Sequence, residues 1–106
     1  MAKYTVGIDF GTLSARALVV EVATGRELAS ATMDYPHQVM TRALPDGTPL
    51  KPDWALQHPE DYLLCLQKVV HEAVQLSGVN PDDVIGVGVD FTSNTFMPID
   101  SNGEPL

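Results

Sequence analysis

The sequence predicts an α/β fold in which several strands and one helix share a single small core. Three observations favour this class: β-prone runs near the N-terminus, one long helical pattern in the middle of the chain, and a further strand pattern after that helix. With 106 residues the chain can form one domain with a modest core, and it is too short for two lobes that close on a substrate.

Three strands are predicted before the helix. Residues 4–9 are β-prone and lead into Gly11, and a second apolar run covers residues 15–22. Two strands separated by so few residues form a hairpin. Thr24 and Gly25 mark the next turn, and residues 26–35 are predicted to form the third strand.

The segment from residue 36 to residue 59 is irregular. It contains five prolines and an Asp46-Gly47 turn signal, so we predict a surface loop, and loops of this length often carry function. A helix is predicted from about Pro59 to Gly78, because proline suits the first helical position and glycine a helix end. Apolar residues recur inside it at helical spacing: Tyr62, Leu66, Val69, Val70 and Ala73.

The last strand is predicted at residues 84–90. It is apolar on both faces, which is typical of an interior strand covered on both sides, and Gly86 and Gly88 indicate close packing against a neighbour. Residues 101–104 form a hairpin turn signal, after which the chain stops where a return strand would begin. We therefore expect the sequence to continue in a longer protein.

Composition excludes several classes of partner. Fourteen acidic and six basic residues give a net charge of −8, and the basic residues are scattered, so we expect no binding to nucleic acid or membranes.

Cys65 is the only cysteine and the three histidines lack metal-ligand spacing. With no signal or membrane segment, a cytoplasmic location is expected; a homodimer is compatible with the sequence, which does not fix the oligomeric state.

Two polar constellations follow predicted strands. In the first, Asp9 ends a buried strand, Gly11 permits a tight turn, and Thr12, Ser14 and Arg16 offer donors suited to phosphate oxygens. A carboxylate beside phosphate donors suits hydrated Mg²⁺. The second constellation runs from Asp90 to Thr95 and could line a pocket for a polyhydroxylated ligand. Ordinary polar turns remain the alternative interpretation of each.

The first constellation resembles a known motif. Residues 7–16, Gly-Ile-Asp-Phe-Gly-Thr-Leu-Ser-Ala-Arg, are similar to the first phosphate motif of the superfamily of sugar kinases, heat-shock ATPases and actin. The Ser-x-Arg ending resembles the FGGY carbohydrate kinases within it. Residues 54–62 and 85–93 resemble segments of the ribulokinases in that family, and the resemblance covers residues 4–106.

The resemblance implies a ribonuclease H-like, actin-like ATPase fold, with residues 1–106 as the N-terminal part of the first lobe. It implies ATP and Mg²⁺ as cofactors and L-ribulose, or a related ketopentose, as the sugar substrate. The catalytic aspartate base and the adenine pocket would lie beyond Leu106, so the chain alone is expected to lack kinase activity. The implied site residues are Asp9 for the metal, Gly11, Thr12, Ser14 and Arg16 for the ATP phosphates, and Thr92, Ser93 and Asn94 for the sugar.

Two alternatives stay open. The chain lacks the Asn-Gln-Arg-Glu-Thr run of glycerol kinases and the Gln-Met-His-Gly run of xylulokinases, which disfavours glycerol and xylulose as substrates. However, Asn94 stands where many ribulokinases have Cys or Ser, so the choice of sugar is open. A kinase for another sugar or polyol, such as xylulose, gluconate or glycerol, is therefore one alternative. The other is an ATP-binding sensor or chaperone-like domain that uses the same hairpin without phosphorylating a sugar.

Overall fold

A computed structural model describes residues 2–92 and 96–106 of the chain. In chain order its elements are β1 (Tyr4–Phe10), β2 (Ser14–Glu21), β3 (Glu27–Asp34), β4 (Val39–Met40), β5 (Leu56–Gln57), α1 (Pro59–Ser77), a 3-10 turn (Pro81–Asp83) and β6 (Val84–Phe91). The three predicted N-terminal strands, the helix and the strand after it are all confirmed. The two short strands β4 and β5 pair inside the predicted loop and were not expected.

Four strands form the main sheet, in the order β3-β2-β1-β6. Strand β1 pairs antiparallel with β2 and parallel with β6, and β2 pairs antiparallel with β3. The parallel pair requires a crossover, which the loop of residues 35–58 and helix α1 provide. The carboxyl ends of β1 and β6 therefore meet at one edge of the sheet.

One face of the sheet packs against α1. Side chains alternate between faces along a strand, so one set from β1 and β2 turns to the helix. The residues of this core are small or β-branched, which lets the helix lie close to the sheet. They are Val6, Ile8, Ala17, Val19 and Ala31 from the strands and Val69 and Ala73 from the helix, with exposed fractions of 0–6%.

The ends of α1 follow the predicted signals. Pro59 occupies the first turn, and Gly78 ends the helix with φ 73°, a left-handed conformation in which glycine carries little strain. Cys65 is fully buried on the sheet side, beside Ala15 and Tyr35. In the part of the chain that the structure describes, no helix has the length and apolar content needed to cross a bilayer.

Strand β6 differs from its prediction as an interior strand. It lies at the edge of the sheet, and its helix-side residues Ile85, Val87, Val89 and Phe91 are 56–64% exposed. The reason is that α1 lies over β3 and β2 and hardly reaches β6. The predicted close packing is also wrong at Gly88, where an added Cβ would meet no atom of the described residues within 4 Å.

Candidate functional site

The sheet face opposite α1 carries a groove of about 410 Å³ lined by β1, β2 and β6. Strand alternation places Asp9 of β1, Arg16 of β2 and Asp90 of β6 on this face. Because Asp9 pairs in register with both Arg16 and Asp90, the three side chains form one row across the sheet. All three are exposed. The groove therefore brings together two predicted site residues, Asp9 and Arg16, and adds Asp90.

Two glycines form the floor of this groove. Gly7 of β1 pairs with Gly88 of β6, directly beside the row of charged residues. A Cβ at either position would meet no atom of the described residues within 4 Å, so it would project into the groove. Backbone is therefore open to a ligand at this point, as in sites where a bulky or charged group must approach closely.

The charges of the row suit a metal ion together with an anion. Neighbouring strands lie about 4.8 Å apart, so the side chains of Asp9 and Asp90 project from adjacent positions on the same face of the sheet. Two carboxylates placed in this way repel one another. A hydrated divalent cation bound through one or two carboxylates relieves that repulsion. Arg16, on the other side of Asp9, offers a planar fork of donors for an anionic ligand. These residues fit Mg²⁺ and a phosphate group.

The turn between β1 and β2, residues 11–13, is tight. The N–H of Gly11 donates to the carbonyl of Ser14 at 2.8 Å. A Cβ on Gly11 would lie 3.1 Å from that carbonyl oxygen, which is tighter than nine in ten real Cβ contacts. Glycine therefore suits this turn, and its own N–H is occupied within the hairpin.

Three side chains from the following loop fix the carbonyls of this turn; we call them the carbonyl clamp. The Tyr35 hydroxyl donates to the carbonyl of residue 11 at 2.8 Å, and the Gln57 side-chain amide to that of residue 12 at 2.8 Å. The Gln38 amide donates to the carbonyl of residue 13 at 3.1 Å. Gln57 is itself oriented by the hydroxyl of Tyr62, which donates to its Oε1.

The clamp sets the direction of the turn amides. In a trans peptide the N–H points opposite to the C=O, and the described residues contain no cis bond. With the first two carbonyls of the turn fixed toward the clamp, the N–H groups of Thr12 and Leu13 point away from it, and both residues are exposed. Successive N–H groups that point the same way are of the kind that bind anions. The use of Thr12 and Arg16 for phosphate stays a prediction.

Sequence reasoning missed the clamp. Tyr35, Gln38 and Gln57 reach the turn across 24, 25 and 45 residues of chain, and no local pattern reports contacts over such separations. One feature of the sequence does point to this region: the loop of residues 36–59 has a length that is typical of functional loops. Gln38 adopts φ 54°, uncommon for a residue other than glycine, and its side-chain amide also donates to the Tyr35 carbonyl.

We predict that ionising Tyr35 destabilises the fold at alkaline pH. Burial raises the pKa of Tyr35 to about 12, and the nearby Tyr62, Cys65 and Asp9 groups act in the same direction. The stabilisation that Tyr35 contributes is complete below its unfolded-state pKa of about 10 and is lost as pH rises through about 12. The free energy of unfolding should fall across this window, and chemical unfolding at a series of pH values measures the fall.

The matched variant for this prediction is Tyr35→Phe, which keeps the ring and removes the ionisable group. Burial also raises the pKa of Tyr62 and of Cys65, so part of the alkaline decline should remain in the variant. A decline as steep in Tyr35→Phe as in the unmodified chain would contradict the role given to Tyr35.

The second predicted constellation follows β6. The N–H and hydroxyl of Thr92 both donate to the Phe10 carbonyl, at 3.1 and 3.3 Å, which places Thr92 at the end of β1. Thr92 also lines a hollow of about 230 Å³ with Phe91, Tyr62 and Met97. Ser93 and Asn94, the other predicted sugar-binding residues, lie outside the described residues. Thr92 therefore lies at the end of β1, beside a hollow that Tyr62 of α1 also lines, and its contact with a sugar stays a prediction.

Solved structures of sugar kinases share the fold. A gluconate kinase from Lactobacillus acidophilus superposes with a TM-score of 0.77 at 18% identity, over 100% of this chain and 19% of that one. A xylulose kinase from Rhodospirillum rubrum gives a TM-score of 0.71 at 21% identity, over 98% of this chain and 19% of that one. This likeness confirms the predicted actin-like sugar-kinase fold.

Relatives of known name are much closer in sequence. A ribulokinase from Geobacillus thermodenitrificans is 52% identical over 105 residues, which are 98% of this chain and 18% of that protein. One from Mycolicibacterium smegmatis is 51% identical over 107 residues, 98% of this chain and 19% of that protein. The chain thus spans about a fifth of these relatives. The N-terminal domain pattern of the FGGY family of carbohydrate kinases matches residues 4–106, and the chain belongs to that family.

Proposed function

We propose that the chain is the N-terminal part of an ATP-dependent ribulokinase, which transfers the γ-phosphoryl group of ATP to L-ribulose or a related ketopentose. The observation that carries the proposal is the groove lined by Asp9 and Arg16, two residues that pair in register next to the β1–β2 turn. The ribulokinases that are about 50% identical over nearly the whole chain support the choice of sugar.

The proposed roles follow from the chemistry of each group. When MgATP is bound, ATP supplies the phosphoryl group and Mg²⁺ supplies positive charge that neutralises the phosphate oxygens. Asp9 binds the hydrated metal on the open face of the sheet, and Arg16 neutralises phosphate oxygens. Thr12 and Ser14 donate to the terminal phosphates, while Gly11 keeps the turn tight enough for their approach. Phosphoryl transfer needs mainly such positioning and charge stabilisation.

The sugar is proposed to bind beyond the end of β6, near the residues at positions 92–94. Thr92 is fixed there by its two hydrogen bonds to the end of β1. We propose that the catalytic base and the adenine pocket belong to a part of the enzyme outside residues 1–106. The 106-residue chain by itself should therefore not phosphorylate sugars.

The test is a chimera, in which this chain replaces the matching 105 residues of the Geobacillus thermodenitrificans ribulokinase. We expect the chimera to phosphorylate L-ribulose with ATP at a higher rate than xylulose, gluconate or glycerol. The rates of the unmodified enzyme on the same four substrates are the reference. A folded chimera that prefers glycerol would defeat the ribulokinase proposal. A folded chimera that binds ATP and transfers nothing would favour the sensor or chaperone-like alternative.

A further inference from the structure

Three side chains from separate parts of the chain meet at the start of α1. His37 comes from the loop after β3, His58 immediately precedes the helix, and Asp61 lies in its first turn. Atoms of these residues that can bind a metal all lie within 4.8 Å of one another. The spacing of the histidines in the sequence does not indicate this cluster, because it is folding that brings His37 and His58 together.

Asp61 is buried, with 4% of its surface exposed. Its Oδ2 accepts the backbone N–H of His37 at 2.9 Å, and its Oδ1 lies 2.8 Å from Nδ1 of the same residue. The carboxylate is thus turned toward His37, and α1 has no side-chain cap at its N-terminus. A buried carboxylate is costly without a compensating positive charge, and a cation beside Oδ1 would supply one.

His58 contributes an unsatisfied nitrogen. Its Nδ1 exposes less than 1 Å² and has no hydrogen-bond partner among residues 2–92 and 96–106. The ring stacks on that of His37, with centroids 4.4 Å apart and planes inclined by 16°. A buried polar atom without a partner is destabilising, and metal coordination through the lone pair of Nδ1 would remove that destabilisation.

We propose that His37, His58 and Asp61 form a binding site for a transition-metal ion of the Zn²⁺ type, separate from the groove at Asp9. Imidazole nitrogen and carboxylate oxygen bind Zn²⁺ at about 2.0–2.2 Å, so two ligand atoms of one tetrahedral ion lie roughly 3.4 Å apart. The ligand atoms of the cluster lie within 4.8 Å of one another, so side-chain rotations must shorten the widest separation by about 1.4 Å. Magnesium is disfavoured because it selects oxygen ligands.

The surroundings leave room for a further ligand. A hollow of about 310 Å³ adjoins the three side chains and is also lined by Glu60 and Leu64. Three protein ligands with water in the remaining position is a common zinc arrangement. A bound ion would join the loop after β3 to the first turn of α1. Because only the folded chain assembles these ligands, Zn²⁺ should raise its melting temperature.

The experiment titrates the untagged 106-residue chain with Zn²⁺ by calorimetry and with Co²⁺ by visible absorbance. We expect saturable binding of one ion, with no competition from Mg²⁺. His58→Phe preserves the stacked ring and Asp61→Asn preserves the shape of the side chain; each should weaken Zn²⁺ binding by more than about 100-fold. His71→Phe is the matched control, since His71 lies exposed on α1 away from the cluster and should bind as the unmodified chain does.

His37→Gln, at a side chain that is 38% exposed, is a third variant that keeps a side-chain N–H donor, and it should lose Zn²⁺ binding in the same way. Circular dichroism establishes that each variant is folded. The proposal is overturned if the unmodified chain shows no saturable Zn²⁺ binding. It is equally overturned if folded His37→Gln and His58→Phe bind Zn²⁺ undiminished, or if His71→Phe loses as much affinity as they do.

Discussion

Replacing Asp9 with Asn in the chimera is expected to lower kcat by about 10²–10⁴-fold, since a metal ion contributes several kcal/mol to the transition state. Asp9 ends β1 on the open face of the sheet, between Arg16 and Asp90. Asparagine keeps the size of the side chain and removes the charge that binds the metal. The initial rate of ADP formation, measured over a range of Mg²⁺ concentrations, tests the expectation.

The Asp9→Asn variant should fold normally. Within residues 2–92 and 96–106, no ion pair involves Asp9, and its side chain is exposed. Asp82→Asn is the matched control, because Asp82 is an exposed carboxylate in the 3-10 turn before β6, at the opposite end of that strand from Asp90. A kcat and a Mg²⁺ requirement equal to those of the control would remove Asp9 from the proposed metal site.

The secondary structure was predictable because its signals are local. Pro59 and Gly78 bound α1 through their own backbone preferences, and the apolar runs of β1 and β2 are joined by too few residues for anything except a hairpin. The candidate phosphate residues were also predictable. Asp9 and Arg16 stand on either side of one tight turn, so a local motif contains both.

The support of that turn was not predictable. The carbonyl clamp depends on Tyr35, Gln38 and Gln57, whose side chains reach the turn only after the sheet and α1 have packed. The same holds for His37 and Asp61, which are separated by the whole loop. From the sequence alone, polar side chains in an irregular loop are expected to be exposed to solvent. Their hydrogen-bond partners are set by tertiary contacts, which local sequence does not reveal.

The position of β6 shows a different limit. Its apolar pattern indicates that both faces are suited to burial, but the pattern does not say which element covers them. In the structure β6 pairs with β1 on one side, and α1 covers the other strands. The pattern therefore predicted the strand itself and failed on its place in the sheet.

The floor of the groove offers a change that should weaken ligand binding and spare the fold. Gly88→Val adds a side chain where a Cβ meets no atom of the described residues within 4 Å, so it fills the space beside Asp9 and Asp90. Overfilling a packed space costs about 1–3 kcal/mol, so ATP should bind the chimera about 10- to 100-fold more weakly. Equilibrium binding of ATP and thermal unfolding, measured on the same preparation, test both halves of the expectation.

Gly86→Val separates the effect of the groove from the effect of the substitution. Gly86 lies two residues earlier on the same face of β6, where an added Cβ would meet Thr5 Cγ2 at 3.7 Å, an ordinary contact. Valine favours extended backbone at both positions, so neither variant should lose stability. If the two variants bind ATP equally well, the space between Asp9 and Asp90 does not receive the nucleotide, because only the valine at position 88 enters it.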